Sequence, residues 1–219
     1  MENKRYTHVV WDFNGTVLDD VDTGIRAVNT LLSERGLRQI ASVDEYRRVF
    51  GFPIRSYYER LGFDFSVEPY EELAPKWVEL YLDFVVDAPL FEGVTESLAL
   101  LREKGLGLIL LSATEKGMLN SQLASLGLEN AFDEVLGLDN IHAYSKVDIA
   151  REWRKNAPQM NAFMIGDTEH DVQTAEAMGI DCYLVSCGHQ DVERLSATGV
   201  PVFDSVKSLM TYLCENGLI

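Results

Sequence analysis

The sequence has few cysteines, few basic residues and no long apolar run. Its 219 residues include only three cysteines, and Cys182, Cys187 and Cys214 form no C-x-x-C pair. This odd number predicts reduced thiols and argues against a structural zinc site. No apolar run approaches the roughly 18 residues of a membrane span, and the first residues show no apolar signal-peptide core. We therefore expect a cytoplasmic protein with no membrane partner.

Basic residues are outnumbered, with 19 Lys+Arg against 35 Asp+Glu and a formal net charge of -16. Nucleic acids and anionic membranes are bound largely through Lys and Arg, so neither is expected as a partner. Apolar residues make up 47% and charged residues 25%, which is typical of a globular chain. If the substrate carries phosphate, local cations must bind it against the field of the whole protein.

Short apolar segments alternate with helical segments along most of the chain. The predicted strands are 8–13, 106–111, 134–138, 162–165, 181–185 and 201–203, and the predicted helices between them are 94–104, 116–126, 147–155, 171–178 and 206–215. Continuous apolar strands separated by amphipathic helices indicate an α/β fold with a mostly parallel sheet and helices on both faces.

The stretch after the first strand is helical instead. The predicted helices there are 22–36, 42–50, 54–61 and 67–86. Gly36 and Gly62 are expected to end helices, and Pro75 to start or kink one. We therefore predict an α/β core domain over 1–17 and 88–219, with an inserted all-helical cap domain over 18–87.

Four polar segments fall at predicted strand ends or helix starts, where open α/β sheets place their chemistry. Asp12 ends the first strand, Ser112 ends the second, and Lys146 stands at a helix start. Asp167 and Asp171 flank a strand-to-helix turn. These residues suit phosphoryl transfer in which Asp12 is the nucleophile and Lys146 supplies the local positive charge.

The same segments offer oxygen ligands for Mg²⁺ and donors for a phosphate group. The predicted metal ligands are Asp12, the backbone carbonyl of Asn14, Asp167 and, directly or through water, Asp171. The predicted phosphate-binding groups are Ser112, Lys146 and the backbone N–H groups of Phe13, Asn14 and Ala113.

The order of these motifs resembles the haloacid dehalogenase (HAD) superfamily. The chain carries Asp-x-x-Gly-Thr over 12–16, the strand-end Ser112, the lone Lys146 and Gly-Asp-Thr-x-x-Asp over 166–171. The helical insert resembles the C1 cap of this family. The segment 50–55 resembles the substrate-facing cap loop of phosphoglycolate phosphatase-like members, which makes Arg55 a candidate for binding a substrate anion.

The resemblance implies a Rossmann-like core, Mg²⁺ dependence, Asp12 as nucleophile and an acidic residue two positions later. That position holds Asn14, which can donate a hydrogen bond but cannot transfer a proton. Alkyl phosphates are therefore expected to turn over slowly. Three explanations of Asn14 are open. The enzyme is a weak or specialised phosphatase, or another group such as Asp19, Glu169 or His170 replaces the acid. The third explanation is that Asn14 is an engineered substitution.

The predicted function is a phosphoric monoester hydrolase that acts on a small phosphorylated metabolite through an aspartyl-phosphate, as a monomer or homodimer. The alternatives are a weakened HAD protein that binds a phosphometabolite or partner, and a β-phosphoglucomutase-like phosphotransferase. Other side chains receive structural interpretations: Asp20 caps the next helix, His189 is structural or at the surface, and Trp77 and Tyr81 belong to the cap core.

Overall fold

The computed structural model of the protein describes residues 6–138 and 145–219. Its strands are β1 (His8–Trp11), β2 (Gly107–Glu115), β3 (Glu134–Leu138), β4 (Ala162–Gly166), β5 (Asp181–Val185) and β6 (Val202–Phe203). The helices are α1 (Val21–Glu34), α2 (Val43–Val49), α3 (Ile54–Arg60), α4 (Tyr70–Phe84), α5 (Val94–Glu103), α6 (Lys116–Ser125), α7 (Lys146–Asn156), α8 (Glu169–Met178), α9 (Val192–Ala197) and α10 (Val206–Glu215).

The strands form one parallel sheet in the order β3-β2-β1-β4-β5-β6. This is the strand order of a Rossmann-like sheet, so the predicted α/β fold class is confirmed. β1 lies in the middle, where Val10 pairs with Ile109 on one side and Met164 on the other. All strands end at the same edge because all run in the same direction.

Helices cover both faces of the sheet because alternate strand residues point to opposite sides. Val9 and Trp11 of β1 join one buried cluster, which also contains residues of α5, α6 and α10. Val10 joins a second cluster with residues of α7 and α8. The apolar strands are therefore buried on both sides, as a parallel sheet requires.

Helices α1–α4 form a third apolar cluster of their own, which includes Leu31, Leu32 and Leu73. The chain leaves the sheet and returns to it through two adjacent segments. The backbone N–H of Phe91 donates to the carbonyl of Val17 at 3.1 Å across these segments. The bounds of the core and cap domains remain a prediction.

The last cap helix begins later than the sequence pattern indicated. The predicted helix 67–86 is observed as α4, Tyr70–Phe84, followed by a 3₁₀ turn over Val85–Asp87. Glu68 precedes Pro69, and a residue before proline disfavours the helical conformation, so the helix cannot run through this point. Pro75 lies inside α4.

The second strand is longer than predicted, since β2 continues past Leu111 to Glu115 with an irregularity in its pairing to β3. This extension carries Ser112 and Thr114 along the edge where the other strands end. Within residues 6–138 and 145–219, no helix combines the length and the apolar character needed to cross a bilayer.

Candidate active site

Asp12 lies directly after β1, at the edge where the parallel strands end. Its backbone N–H donates to the carbonyl of Ile165 at 2.9 Å, so β4 fixes its position. Only 7% of Asp12 is exposed. β1 and β4 are the strands between which the order of connections reverses, and ligands of open α/β sheets bind at such a point. The residue predicted as nucleophile therefore lies in the crevice of the fold.

Three aspartates meet at this crevice. Asp167 follows β4, and Asp171 lies in the first turn of α8. Carboxylate oxygens of Asp12, Asp167 and Asp171 all lie within 4.8 Å of one another, and all three residues are buried. Asp171 also holds its own turn, because Oδ2 accepts the backbone N–H of Thr168 at 3.0 Å. The structure thus brings together the aspartates assigned to a metal.

Lys146 is the first residue of α7 and provides the positive charge at these carboxylates. Its ammonium donates to Oδ1 of Asp171 at 2.6 Å and also to Oδ1 of Asp12. Burial alone would lower the pKa of Lys146, but the two carboxylates outweigh it and raise this pKa above its usual range. Lys146 is therefore charged and held beside Asp12, the residue predicted as nucleophile.

One ammonium does not balance three buried carboxylates. Burial raises the pKa of Asp12, and Lys146 only partly opposes this, while burial also raises the pKa of Asp167. A bound cation favours the ionised form of both groups. Because every donor is a carboxylate oxygen, the set fits a hard divalent ion such as Mg²⁺. Asp171 accepts the most hydrogen bonds of the three: one from Lys146 at Oδ1, and at Oδ2 those from the backbone N–H groups of Asp167 and Thr168 and from the hydroxyl of Thr168. Asp167 accepts one at each oxygen.

Gly15 permits this close packing. Its φ of 79° lies in the left-handed region, and a Cβ there would overlap the Asp167 carboxylate and the ring of His189. A side chain at position 15 would therefore displace the carboxylate of Asp167, a predicted metal ligand, from its position near the end of β1.

Asn14 is held by hydrogen bonds at both ends of its amide. Its Nδ2 donates to Oδ2 of Asp20 at 2.9 Å and to the hydroxyl of Tyr81 at 2.7 Å. Its Oδ1 accepts the hydroxyl of Thr114 at 3.0 Å, and Thr114 accepts the hydroxyl of Ser112 at 3.1 Å. The side chain of Asn14 thus connects the nucleophile loop to the end of β2 and to cap helix α4.

The remaining groups predicted to bind phosphate lie around the same opening. Ser112, Ala113 and Lys146 line one cavity together with Asp12. The side chain of Phe13 points into the core and is fully buried. Phe13 therefore has only its backbone to offer, as the sequence predicts.

Asp20 has a different role from the one expected. It occupies the position before α1, but its side chain makes no capping hydrogen bond. Its carboxylate instead accepts the backbone N–H of Gly15 at 2.9 Å and the hydroxyl of Tyr81 at 2.7 Å. The expectation of a helix cap is wrong because buried donors of the active-site loop and the cap occupy both oxygens.

His189 was expected to be structural or at the surface; it is buried in a hydrogen-bond network, which agrees with the structural alternative, and it also lines the cavity. Its Nε2 is 3.2 Å from Oδ1 of Asp20, and its Nδ1 is 2.9 Å from the hydroxyl of Tyr46. Burial alone would lower the pKa of His189, but Asp20 raises it to about 9. His189 follows β5 closely, so the rule that selected the other strand ends would also have found it.

Between the strand ends and helices α2–α4 lies a cavity of about 530 Å³. Seven aromatic side chains line it: Tyr46, Phe50, Phe52, Tyr57, Tyr58, Trp77 and Tyr81. Trp77 and Tyr81 pack with the cap core as expected, yet they also line the cavity. Their rings stack at 5.0 Å between centroids. Both residues are therefore part of the cap, as expected, and they also face the cavity.

Arg55 does not reach this cavity. Its guanidinium lies 3.4 Å from Glu59 on the same helix and 5.0 Å from the ring centre of Phe65, in an exposed position. The expected contact with a substrate anion is thus not found, because α3 directs Arg55 away from the described cavity.

The titratable residues named as substitutes for the acid differ in position. His170 lines the cavity and stacks on Phe52 at 4.5 Å between ring centroids. Glu169 forms an ion pair with Arg194 at 2.9 Å. Asp19 is half-buried, and it is not among the residues that line the cavity.

Residues 9–185 match the family model described as haloacid dehalogenase-like hydrolase. This match covers most of the chain, which therefore belongs to that family. The fold, the four motifs and the family agree, and the resemblance stated from the sequence is confirmed.

Curated relatives point to phosphatases within the family. The chain is 28% identical over 201 residues to the phosphoglycolate phosphatase of Caulobacter vibrioides, covering 86% of this chain and 84% of the relative. It is 27% identical over 200 residues to the phosphoglycolate phosphatase of Pseudomonas savastanoi pv. phaseolicola, covering 83% and 70%. The predicted enzyme class, a phosphoric monoester hydrolase, is confirmed by these relatives.

The fold also matches solved structures. The haloacid dehalogenase-like family protein SP0104 from Streptococcus pneumoniae has a TM-score of 0.79 with this chain. The match covers 97% of this chain and 100% of the other at 19% identity, and it confirms the fold.

Proposed function

We propose that the protein is an Mg²⁺-dependent phosphatase that acts on a small phosphorylated metabolite through an aspartyl-phosphate. One observation carries the proposal: Asp12, Asp167 and Asp171 are buried around one position, with Lys146 donating to two of them. Buried like charges are costly, and a site of this kind is typical of function. We further propose that the protein acts as a monomer or homodimer in the cytoplasm, with no nucleic acid or membrane partner.

The metal ligands would be Asp12, Asp167, the backbone carbonyl of Asn14 and, directly or through water, Asp171. When bound there, Mg²⁺ neutralises part of the charge on the carboxylates and on the transferring phosphoryl group. Among the cationic side chains that line the described cavity, Lys146 is the one that contacts Asp12.

The residues of the chain divide the chemistry between them. A carboxylate oxygen of Asp12 forms a bond to phosphorus, and the ester oxygen leaves with the bonding electron pair. Lys146, Ser112 and the backbone N–H groups of Phe13, Asn14 and Ala113 bind the phosphoryl oxygens. Water then attacks the phosphorus of the aspartyl-phosphate, which releases Asp12 and gives inorganic phosphate.

Asn14 sets the limit on both steps. Its amide has no proton to give to the leaving oxygen, and it cannot take one from the attacking water. General acid–base catalysis contributes roughly 10²–10⁴-fold, or about 3–5 kcal/mol. We propose that alkyl phosphates react slowly, whereas esters with good leaving groups lose less.

Restoring the acid tests this proposal. In Asn14→Asp the new carboxyl lies next to Asp20, and the adjacent negative charge favours its protonated form, which is the form a general acid needs. We expect release of phosphate from an alkyl phosphate in Mg²⁺ to rise by roughly 10²-fold or more. Asn120→Asp, on the exposed side of α6, adds the same charge elsewhere and is expected to change nothing.

The outcomes separate the alternatives. No gain in Asn14→Asp would contradict the acid–base explanation. Absence of both phosphate release and covalently phosphorylated Asp12, in the natural chain and the variant, would favour a module that binds a phosphometabolite or partner. Transfer of the phosphoryl group to a sugar phosphate rather than to water would favour the phosphotransferase.

A further inference from the structure

The cavity beyond the carboxylates is aromatic and apolar. Besides its seven aromatic residues, Ile54, Val78 and Met118 line it, and no arginine does so within residues 6–138 and 145–219. The segment 139–144 has no Lys or Arg in its sequence. The group attached to phosphate therefore meets rings and aliphatic side chains, which favour flat apolar ligands.

The cations that line the described cavity already have other contacts. Lys146 is held between Asp12 and Asp171. His189 is paired with Asp20, and His170 is stacked on Phe52. Apart from Lys146, no Lys or Arg lines the cavity among the described residues, so the lining offers no second permanent cation for another anionic group of the substrate.

The cavity also has acidic side chains besides Asp12, Asp167 and Asp171. Asp20 is buried in its lining, and Glu115 lines it at the start of α6. Asp20 is paired with His189, and Glu115 accepts the backbone N–H groups of Gly117 and Met118. A carboxylate on the substrate would therefore meet these carboxylates and, among the described lining residues, no Lys or Arg besides Lys146. Burying an unpaired charge is costly.

Tyr57 adds one polar requirement. It is 3% exposed, it lines the cavity, and its hydroxyl has no hydrogen-bond partner among the described residues. A buried hydroxyl without a partner is unfavourable. A neutral hydroxyl or carbonyl group on the ligand would satisfy it without bringing in a charge.

We propose that the substrate is the phosphate ester of an uncharged aromatic compound, and not a phosphorylated carboxylic acid. This inference rests on the proposed phosphatase function and specifies the substrate class of the same site. It differs from what the names of the relatives say of those proteins, because phosphoglycolate carries a carboxylate.

The leaving group agrees with the same class. A phenol has a pKa of about 10, whereas the pKa of an alkyl alcohol is closer to that of water, about 15.7. A phenolate is therefore the better leaving group. When Asp12 attacks the phosphorus of an aryl phosphate, the phenolate leaves with the bonding electron pair and is protonated later by solvent. An aryl ester therefore needs no proton from position 14.

A matched pair of substrates tests recognition apart from the leaving group. Benzyl phosphate and phosphoglycolate both release a primary alkoxide. Benzyl phosphate has an aromatic ring and no carboxylate, whereas phosphoglycolate has a carboxylate and no ring. We expect kcat/KM for benzyl phosphate in Mg²⁺ to exceed that for phosphoglycolate by about tenfold or more. Phenyl phosphate is expected to exceed both.

Calorimetric binding of unreactive analogues supplies a readout that needs no turnover. Phenylphosphonate is expected to bind at least about tenfold more tightly than phosphonoacetate, which carries the carboxylate. Equal or tighter binding of phosphonoacetate, or equal or faster turnover of phosphoglycolate, would overturn the inference. Failure of every ester to release phosphate would instead overturn the proposed function.

A charge placed in the cavity should weaken or abolish the preference. Val78 is half-buried on α4 and lines the cavity, so Val78→Lys brings an ammonium to it. Lysine has a high helix propensity, so the helix should tolerate the change. We expect phosphonoacetate to gain about tenfold in affinity relative to phenylphosphonate. Val78→Met is of comparable length without charge and should leave phosphonoacetate the weaker ligand.

Discussion

The cavity has two halves of opposite chemical character, one at the strand ends and one in the cap. The strand-end half contains Asp12, Asp167, Asp171 and Lys146, which are buried at the edge of the sheet, with Lys146 paired to two of the three carboxylates. The cap half consists mainly of aromatic rings on short helices. In the proposed function this difference separates two tasks: the first half would bind the reacting phosphoryl group, and the second would select what is attached to it.

A small network of hydrogen bonds joins the two halves. Asn14 and Asp20 come from the loop and helix start after β1, while Tyr81 comes from α4 and Tyr46 from α2. His189 joins this network from the segment after β5. Changes in the strand-end half should therefore affect the reaction, changes in the cap half should affect selectivity, and changes in the network should affect folding.

The largest effect is expected from Asp12→Asn. Without the nucleophile, phosphate release should fall by at least about 10⁴-fold, as for other enzymes that lose a covalent nucleophile. Folding should tolerate this change, since Lys146 keeps Asp171 and the site loses one of three crowded carboxylates. Phosphate release and thermal unfolding together check it. Asp83→Asn on the exposed face of α4 is the control, and equal loss in both variants would contradict the assignment.

The next effect should come from the network. Asp20→Asn leaves His189 buried without its carboxylate, and breaking a buried ion pair typically costs about 3–5 kcal/mol in the free energy of unfolding. Urea unfolding measures this cost. Asp19→Asn is a matched neighbour whose pKa is already raised by burial, so neutralising it should cost nothing. Equal stability of the two variants would show that the network does not hold the halves together.

The smallest effect should come from an ion pair within the cap. Glu68 accepts from Arg35 and Lys76, and these bonds lower its pKa to about 2. A depressed carboxyl pKa stabilises the fold above the unfolded pKa near 4.5 and ceases to do so as the pH falls through the folded value. Because Glu68 is partly exposed, Glu68→Gln should cost only about 1 kcal/mol at pH 7.

The measurement for Glu68→Gln is urea unfolding at pH 7 and at pH 3, where the difference from the natural chain should shrink. Glu71→Gln, an exposed neighbour, serves as the control. Catalytic rates should stay the same in both variants. A loss of rate in Glu68→Gln would indicate that the cap half contributes to the chemistry as well as to selection.

The strand-end half could be predicted from the sequence because its motifs are local. Asp12 and Asp167 each follow an apolar strand directly, and parallel strands bring such positions to one edge whatever the rest of the chain does. Lys146 does not follow a strand directly and was selected instead as a lone lysine at a helix start. His189 was missed although it obeys the same rule, since it lies a few residues beyond the end of β5.

The cap half could not be predicted in the same way. Helical spacing places Trp77 and Tyr81 on one face of α4, but it does not say whether that face meets the cap core, the cavity or both. Arg55 was selected from a loop pattern, and the orientation of α3 directs it to Glu59 instead. Asp20 was misinterpreted because a carboxylate before a helix usually caps it, whereas here tertiary donors compete for it.

The hydroxyl of Tyr81 has a consequence for the release of product. It makes hydrogen bonds to Asn14 and Asp20, both at 2.7 Å, so α4 cannot swing away from the end of β1 without breaking them. If product leaves by movement of α4, these two bonds must open together, and the residence time of an alcohol or phosphate would depend on how often they do. Position 14, which transfers no proton in the proposed mechanism, would then also affect the release of product.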